Sequence, residues 1–154
     1  MANEYDDVLR REIVTTRVFD APRAMVFEAW TDPEQLKVWW GPRGFSNTFH
    51  EFEMKPGGTW RFTMHGPNGT NYENECRIVE ITPPERIVIE HVSPPKFRLT
   101  AIFDELGTKT KLTFRQLFES PEVYGQIKRL AGQGNEDNLD RLANFLAELK
   151  TKKC

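Results

Sequence analysis

Apolar and polar residues alternate along much of this chain, and the period of that alternation changes from strand-like to helical and back. Residues 12–19 (Glu-Ile-Val-Thr-Thr-Arg-Val-Phe) are rich in β-branched types and predict a first strand. Val26, Phe27 and Trp30 then recur at helical spacing, which predicts a short helix over 22–30 with Asp20 as its N-cap and Pro22 in its first turn. Thr31-Asp32-Pro33 repeats the cap-and-proline signal. Leu36, Trp39 and Trp40 supply the face of a second helix, which Gly41-Pro42 ends.

Period two takes over from residue 45. Strands are predicted at 45–54, 59–65, 71–81, 86–92, 97–104 and 109–118, with turns at Pro56-Gly57-Gly58, Gly66-Pro67-Asn68-Gly69, Pro83-Pro84, Pro94-Pro95 and Leu106-Gly107. Ser120-Pro121-Glu122 opens a last helical segment. Val123, Ile127 and Leu130 carry its first face, Gly132 and Gly134 interrupt it, and Leu139, Leu142, Leu146 and Leu149 resume it. A break or kink is expected at the glycines. The order is strand, two helices, six strands, helix. It predicts one α+β domain over 12–150, in which the C-terminal helix covers one face of an antiparallel sheet of six to seven strands. Residues 1–11 read as a flexible lead-in.

Phase along the strands assigns faces. Trp60, Phe62 and Met64 point one way, and Arg61, Thr63 and His65 the other. Arg61 and Arg98 are expected to face water. Ile89 and His91 share a face with Ile87, Leu99 points inward with Phe97 and Ala101, and Phe114 and Gln116 align with Leu112 and Phe118. Tyr72, Asn74 and Cys76 join the inner face through Ile78, although both faces of that strand carry apolar residues. The alternation describes a filled core as well as a cavity wall.

Composition changes the picture in one respect. Hydrophobic residues are 38% and charged residues 29% of the chain, an ordinary globular mixture, but 11 Phe, 4 Trp and 3 Tyr are many for 154 residues. These rings must sit in a core, a cavity or an interface. A net charge of -2 with no basic stripe argues against a nucleic-acid partner. No window approaches 18 consecutive apolar residues, so no membrane span is predicted. The polar N-terminus does not read as a signal peptide. Cys76 and Cys154 read as free thiols in a reducing compartment, so a cytoplasmic location is expected.

Candidate chemistry is sparse. His50, His65 and His91 fall on three different strands with no metal-ligand spacing, so neither a metal nor a cofactor is expected. There is no G-x-S-x-G elbow, and a mid-strand Cys76 beside His91 reads first as a small buried hydrophobe. Polar strand residues (Glu51, Glu53, Arg61, Tyr72, Glu73, Glu75, Arg77, His91 and Arg98) could serve acid–base work. Charged strand residues more commonly pair across an outer face. The pair Trp39-Trp40 reads as a plug at the end of the sheet, with a cavity mouth or a protein-contact patch as the alternatives.

Several motifs in order resemble one family. Thr16-Arg17-Val18-Phe19-Asp20-Ala21-Pro22, Val26-Phe27-Glu28-Ala29-Trp30-Thr31-Asp32-Pro33 and Trp39-Trp40-Gly41-Pro42 are similar to the opening of the Hsp-ninety ATPase activator homologue family, of the START-like (SRPBCC) superfamily. Lys55-Pro56-Gly57-Gly58-Thr59-Trp60, Pro83-Pro84-Glu85-Arg86 and Leu139-Asp140-Arg141-Leu142 follow in register. The resemblance implies a helix-grip fold: a curved sheet wrapped around a long C-terminal helix, with an internal cavity. It implies no single activity, because the superfamily hosts ligand transport, cyclisation and co-chaperone roles. The eukaryotic activators carry a further N-terminal domain for which this chain has no room, so ATPase activation is not expected here.

Together these readings predict a non-catalytic binder of a hydrophobic small molecule, with a stress-response role. The alternatives are a module that contacts a chaperone and a polyketide-cyclase-like enzyme. The expected cavity wall comprises Trp39, Trp40, Trp60, Phe62, Met64, Cys76, Ile89, His91, Leu99, Phe114, Gln116 and Leu142.

Overall fold

A computed structural model describes residues 11–152. Cys154 and most of the predicted lead-in lie outside the described residues. The elements run β1 (Glu12–Phe19), α1 (Arg23–Thr31), α2 (Pro33–Trp39), β2 (Ser46–Phe52), β3 (Thr59–His65), β4 (Asn71–Thr82), β5 (Arg86–His91), β6 (Phe97–Leu106), β7 (Lys109–Phe118) and α3 (Pro121–Lys152). The strands form one antiparallel sheet in the order β1-β7-β6-β5-β4-β3-β2. From β2 to β7 every strand pairs with its neighbour in sequence through a short turn. Only the β1–β7 ladder is long-range, with Thr15 opposite Phe114 and Arg17 opposite Leu112. The two short helices fill the crossover from β1 to β2 and pack at one end of the sheet. This is the helix-grip architecture.

The inner face is apolar because the strand period puts it there. Trp60, Phe62, Ile78, Ile87, Ile89, Leu99, Ala101, Phe103, Leu112 and Phe114 are all buried. The outward positions Arg61 and Arg98 are exposed and pair with Glu51 and Glu90 on neighbouring strands. The sheet gains its cover in two ways. Around α1 and α2 the aromatic side chains interlock: Trp30 meets Trp39 at 5.1 Å and Trp40 at 5.6 Å, and Trp40 meets Trp60 at 5.3 Å. Along α3, Leu139, Leu142 and Leu146 are almost completely buried. Each such side chain contributes about 2 kcal/mol of transfer free energy.

Two local expectations fail. Asp20 does not cap α1. Pro22 occupies the N-cap in extended conformation with no side-chain bond, while Lys150 of α3 donates to the Asp20 carbonyl at 2.8 Å. The carboxylate lies 3.5 Å from the same Nζ, so Asp20 ties the helix end to β1. Asp32 does cap α2, accepting from the Glu34 N–H at 3.0 Å. The second correction concerns α3, which runs unbroken through Gly125, Gly132 and Gly134 over 32 residues. Glycine costs about 1 kcal/mol relative to alanine in a helix interior. The packing of Leu139, Leu142 and Leu146, together with an Asn135 bond to the sheet, offsets that cost.

Candidate functional site: a cavity under the C-terminal helix

The two halves of α3 do different things. From Leu139 onward its inner face packs into the core. Upstream, Ile127, Ala131 and Gly134 face a cavity of about 450 Å³ instead, and Leu130 at its rim is 78% exposed. The opposite wall comes from the inner face of five consecutive strands: Trp60, Phe62 and Met64 of β3, Tyr72, Asn74 and Cys76 of β4, Ile89 and His91 of β5, Phe97 and Leu99 of β6, and Phe114 and Gln116 of β7. Trp40, Gly41, Pro42 and Phe45 close one end.

The closing turn is held from across the molecule. Arg141 Nη1 donates to the carbonyls of Trp40, Gly41 and Pro42 at 3.0 Å each, and Nη2 donates to Val38 O at 2.8 Å. Burial lowers the Arg141 pKa from its ordinary value, but a guanidinium stays charged. Its planar fork thereby stops the end of α2 and fixes the turn. Asn138 adds a bond from the Gly41 N–H at 3.0 Å. Gly41 has φ +100°, a left-handed conformation in which any other residue is strained, and an added Cβ would also have to displace the Met64 methyl, 2.7 Å away. Two motifs far apart in sequence, Trp39-Trp40-Gly41-Pro42 and Leu139-Asp140-Arg141-Leu142, thus meet at the end of the cavity.

Ten of the 12 residues expected on the wall line this cavity, and Trp39 and Leu142 do not. Trp39 points away because α2 ends there. Its indole N–H donates to Ala29 O at 3.0 Å inside the α1–α2 contact, whereas Trp40 turns to extended backbone and swings its ring to the cavity. Trp39 is therefore the plug and Trp40 the wall. Leu142 is fully buried one turn past the cavity, in the packed half of α3.

Asn135 and Asn138 line the cavity as well, though neither was expected there from the sequence. Their signal was available: positions 135, 139, 142 and 146 continue one helical stripe, and the stripe turns polar where the packed core ends and the cavity begins. Asn135 Nδ2 donates to Gln116 Oε1 at 2.9 Å, a buried bond that joins helix to sheet. His91 is stacked on Phe97, with ring centroids 4.6 Å apart and planes 5° apart. Its Nδ1–H donates to Pro95 O at 2.8 Å, and its Nε2 lies 2.7 Å from the Asn74 side-chain amide, whose NH2 faces it when the ring is neutral. Burial lowers the His91 pKa below the ordinary histidine value, against the raising effect of the Pro95 and Ser93 backbone. The ring is therefore neutral at pH 7. Burial, with a smaller push from Glu75, raises the Cys76 thiol to about 12, so it stays protonated. Among the described residues, no lysine, arginine, aspartate or glutamate lines the cavity.

The other two histidines sit on the outer face. His50 Nε2 meets Thr63 Oγ1 at 2.7 Å and Thr63 donates to Glu73, while His65 bridges Thr48 and Asn71. Among the described residues no group of three or more His, Cys, Asp or Glu side chains is placed to hold a metal ion. Among them, too, no helix is long and apolar enough to cross a membrane.

Comparison with known proteins follows the same outline. The family described as "Activator of Hsp90 ATPase homolog 1-like protein" matches residues 20–147. A protein from Arthrobacter aurescens, solved in solution, is 25% identical; the match covers 92% of this chain and 89% of that one, with a TM-score of 0.85. Protein NE0264 from Nitrosomonas europaea is 19% identical over 91% of this chain and 96% of its own, with a TM-score of 0.82. An AHSA1 protein from Silicibacter pomeroyi is 20% identical over 88% and 97%, with a TM-score of 0.70. No curated protein sequence matches the chain. The last two likenesses, at or below 20% identity, speak to fold alone.

Proposed function

The chain belongs to the family of activator of Hsp90 ATPase homolog 1-like proteins, and on that premise we propose that it binds a hydrophobic, ring-bearing small molecule in the cavity between its sheet and the first half of α3. One observation carries this reading: a cavity of about 450 Å³, walled by Trp40, Trp60, Phe62, Phe97 and Phe114 and tipped with a few polar groups, lies where a packed core would otherwise be. Ligand sites run from roughly 300 to 1,000 Å³ with this mixture of wall chemistry.

Binding without turnover is the better supported form of the proposal. The Cys76 thiol is held protonated, and both ring nitrogens of His91 already have partners, so neither stands ready as nucleophile or base. A cytoplasmic setting belongs to the same proposal, because Cys76 is buried and unpaired. The stress-response role and the chaperone contact rest on the family resemblance.

A thermal-shift screen against aromatic and lipid-like compounds tests it. A ligand present at a hundredfold over its Kd stabilises the fold by about 2.7 kcal/mol. The expected hits lose their effect in Ala131→Phe, which fills the cavity from the helix side. Hits unchanged by that substitution, or none across the library, would turn attention to a protein partner instead.

A further inference from the structure

The geometry points to an uncharged ligand that carries a hydrogen-bond acceptor and a donor side by side, as a carboxamide or lactam does, read by Gln116, Asn135 and Asn138. This inference rests on the ligand-binding proposal and specifies the chemistry of the same site. The three side chains are 8%, 8% and 5% exposed and all line the cavity. Each spends one end of its amide inside the protein. Gln116 Oε1 accepts from Asn135 Nδ2, and Asn138 Oδ1 accepts from the Gly41 N–H. The other ends, Gln116 Nε2, Asn135 Oδ1 and Asn138 Nδ2, have no partner among the described residues. They also differ from Trp60 Nε1, which is both sealed and unpartnered: these three ends retain accessible surface although their residues are buried. They therefore open onto the cavity.

A buried amide half-satisfied by protein is costly to leave so, and the missing partner is a ligand or water. Turning both the Gln116 and Asn135 amides over keeps their mutual bond and still leaves one N–H and one C=O facing inward, so the requirement survives either assignment. A carboxylate answers only the donors. It would also be desolvated without a counter-charge, because no cation among the described residues lines the cavity, His91 is neutral and Arg141 is spent on four carbonyls. A plain hydrocarbon fits the aromatic wall and leaves all three amides unanswered.

Calorimetric titration at pH 7.5 with biphenyl-4-carboxamide, 4-methylbiphenyl and biphenyl-4-carboxylate separates the cases. The carboxamide is expected to bind about tenfold more tightly than the hydrocarbon and about a hundredfold more tightly than the carboxylate. In Gln116→Leu and in Asn135→Leu, each checked for a cooperative unfolding transition, the carboxamide and the hydrocarbon are expected to bind alike. Equal binding of those two by the wild-type protein, or tightest binding of the carboxylate, overturns this inference and leaves the ligand-binding proposal standing. Failure of all three probes overturns both. The wild-type ranking decides the matter even if a substituted chain does not fold.

Discussion

Arg141 offers the sharpest test of how the cavity is built. Replacing it with methionine keeps most of the stem and removes every donor. The guanidinium makes four contacts, three of them through Nη1, which has only two N–H groups to share. We therefore count two to three effective bonds. A bond to a charged group contributes roughly 1.5–3 kcal/mol. Arg141 is only partly buried, so the low end applies, and Arg141→Met should cost about 3 kcal/mol. For a domain of this size that lowers Tm by roughly 6–12 °C. Arg141→Lys should recover less than half, because one ammonium cannot span carbonyls from Val38 to Pro42. Urea unfolding of the three proteins, followed by tryptophan fluorescence, measures the difference. A loss below about 1 kcal/mol in Arg141→Met would show instead that the turn holds its shape without the clamp.

Other outcomes follow from the same geometry. Gly125 and Gly132 sit in a helix with nothing within 4 Å of an added Cβ, so Gly125→Ala and Gly132→Ala should each stabilise the fold by about 1 kcal/mol in thermal unfolding; a loss at either would mean the glycine serves the local backbone. Trp39→Phe and Leu142→Ala should destabilise, the second by about 2–5 kcal/mol, yet leave affinity for a cavity ligand within about threefold, since neither lines the wall. The Cys76 thiol titrates near 12 in the folded chain and at an ordinary 9.0 when unfolded, so its stabilising effect is complete below pH 9 and is lost as pH climbs toward 12. Relative to Cys76→Ala, the wild-type protein should lose about 1.4 kcal/mol between pH 8 and pH 10, read as a difference in urea midpoints; parallel curves would contradict the burial argument.

Much of the fold was legible because its strands announce their faces. Every predicted strand is present, and side-chain parity correctly sent Arg61 and Arg98 outward. His91 and Gln116 went inward, since a period of two leaves no freedom once the apolar face is known. Where the structure departs from these expectations, the local signal is real but a distant contact decides the outcome. Asp20 has the chemistry of a cap, and Lys150 claims it instead. Gly132 and Gly134 have the chemistry of a break, and the bond between Asn135 and Gln116, with the leucines beyond, keeps the helix going. Trp39 and Trp40 are adjacent and chemically identical. Only the stop imposed on α2 by the turn at Gly41 and the Arg141 clamp sends one to the core and the other to the cavity. Tertiary contacts of this kind leave no trace in a window of ten residues.

The claim that matters most is that a small molecule enters the space under α3. Methyl-labelled protein titrated with 4-methylbiphenyl tests it directly, through intermolecular nuclear Overhauser contacts. Contacts are expected from the ligand to the methyls of Met64, Ile89, Leu99 and Ala131, which surround the cavity. Contacts confined to exposed methyls such as those of Val14, Val18 and Val79, with the four cavity residues silent, would place the ligand on the surface and leave the cavity empty.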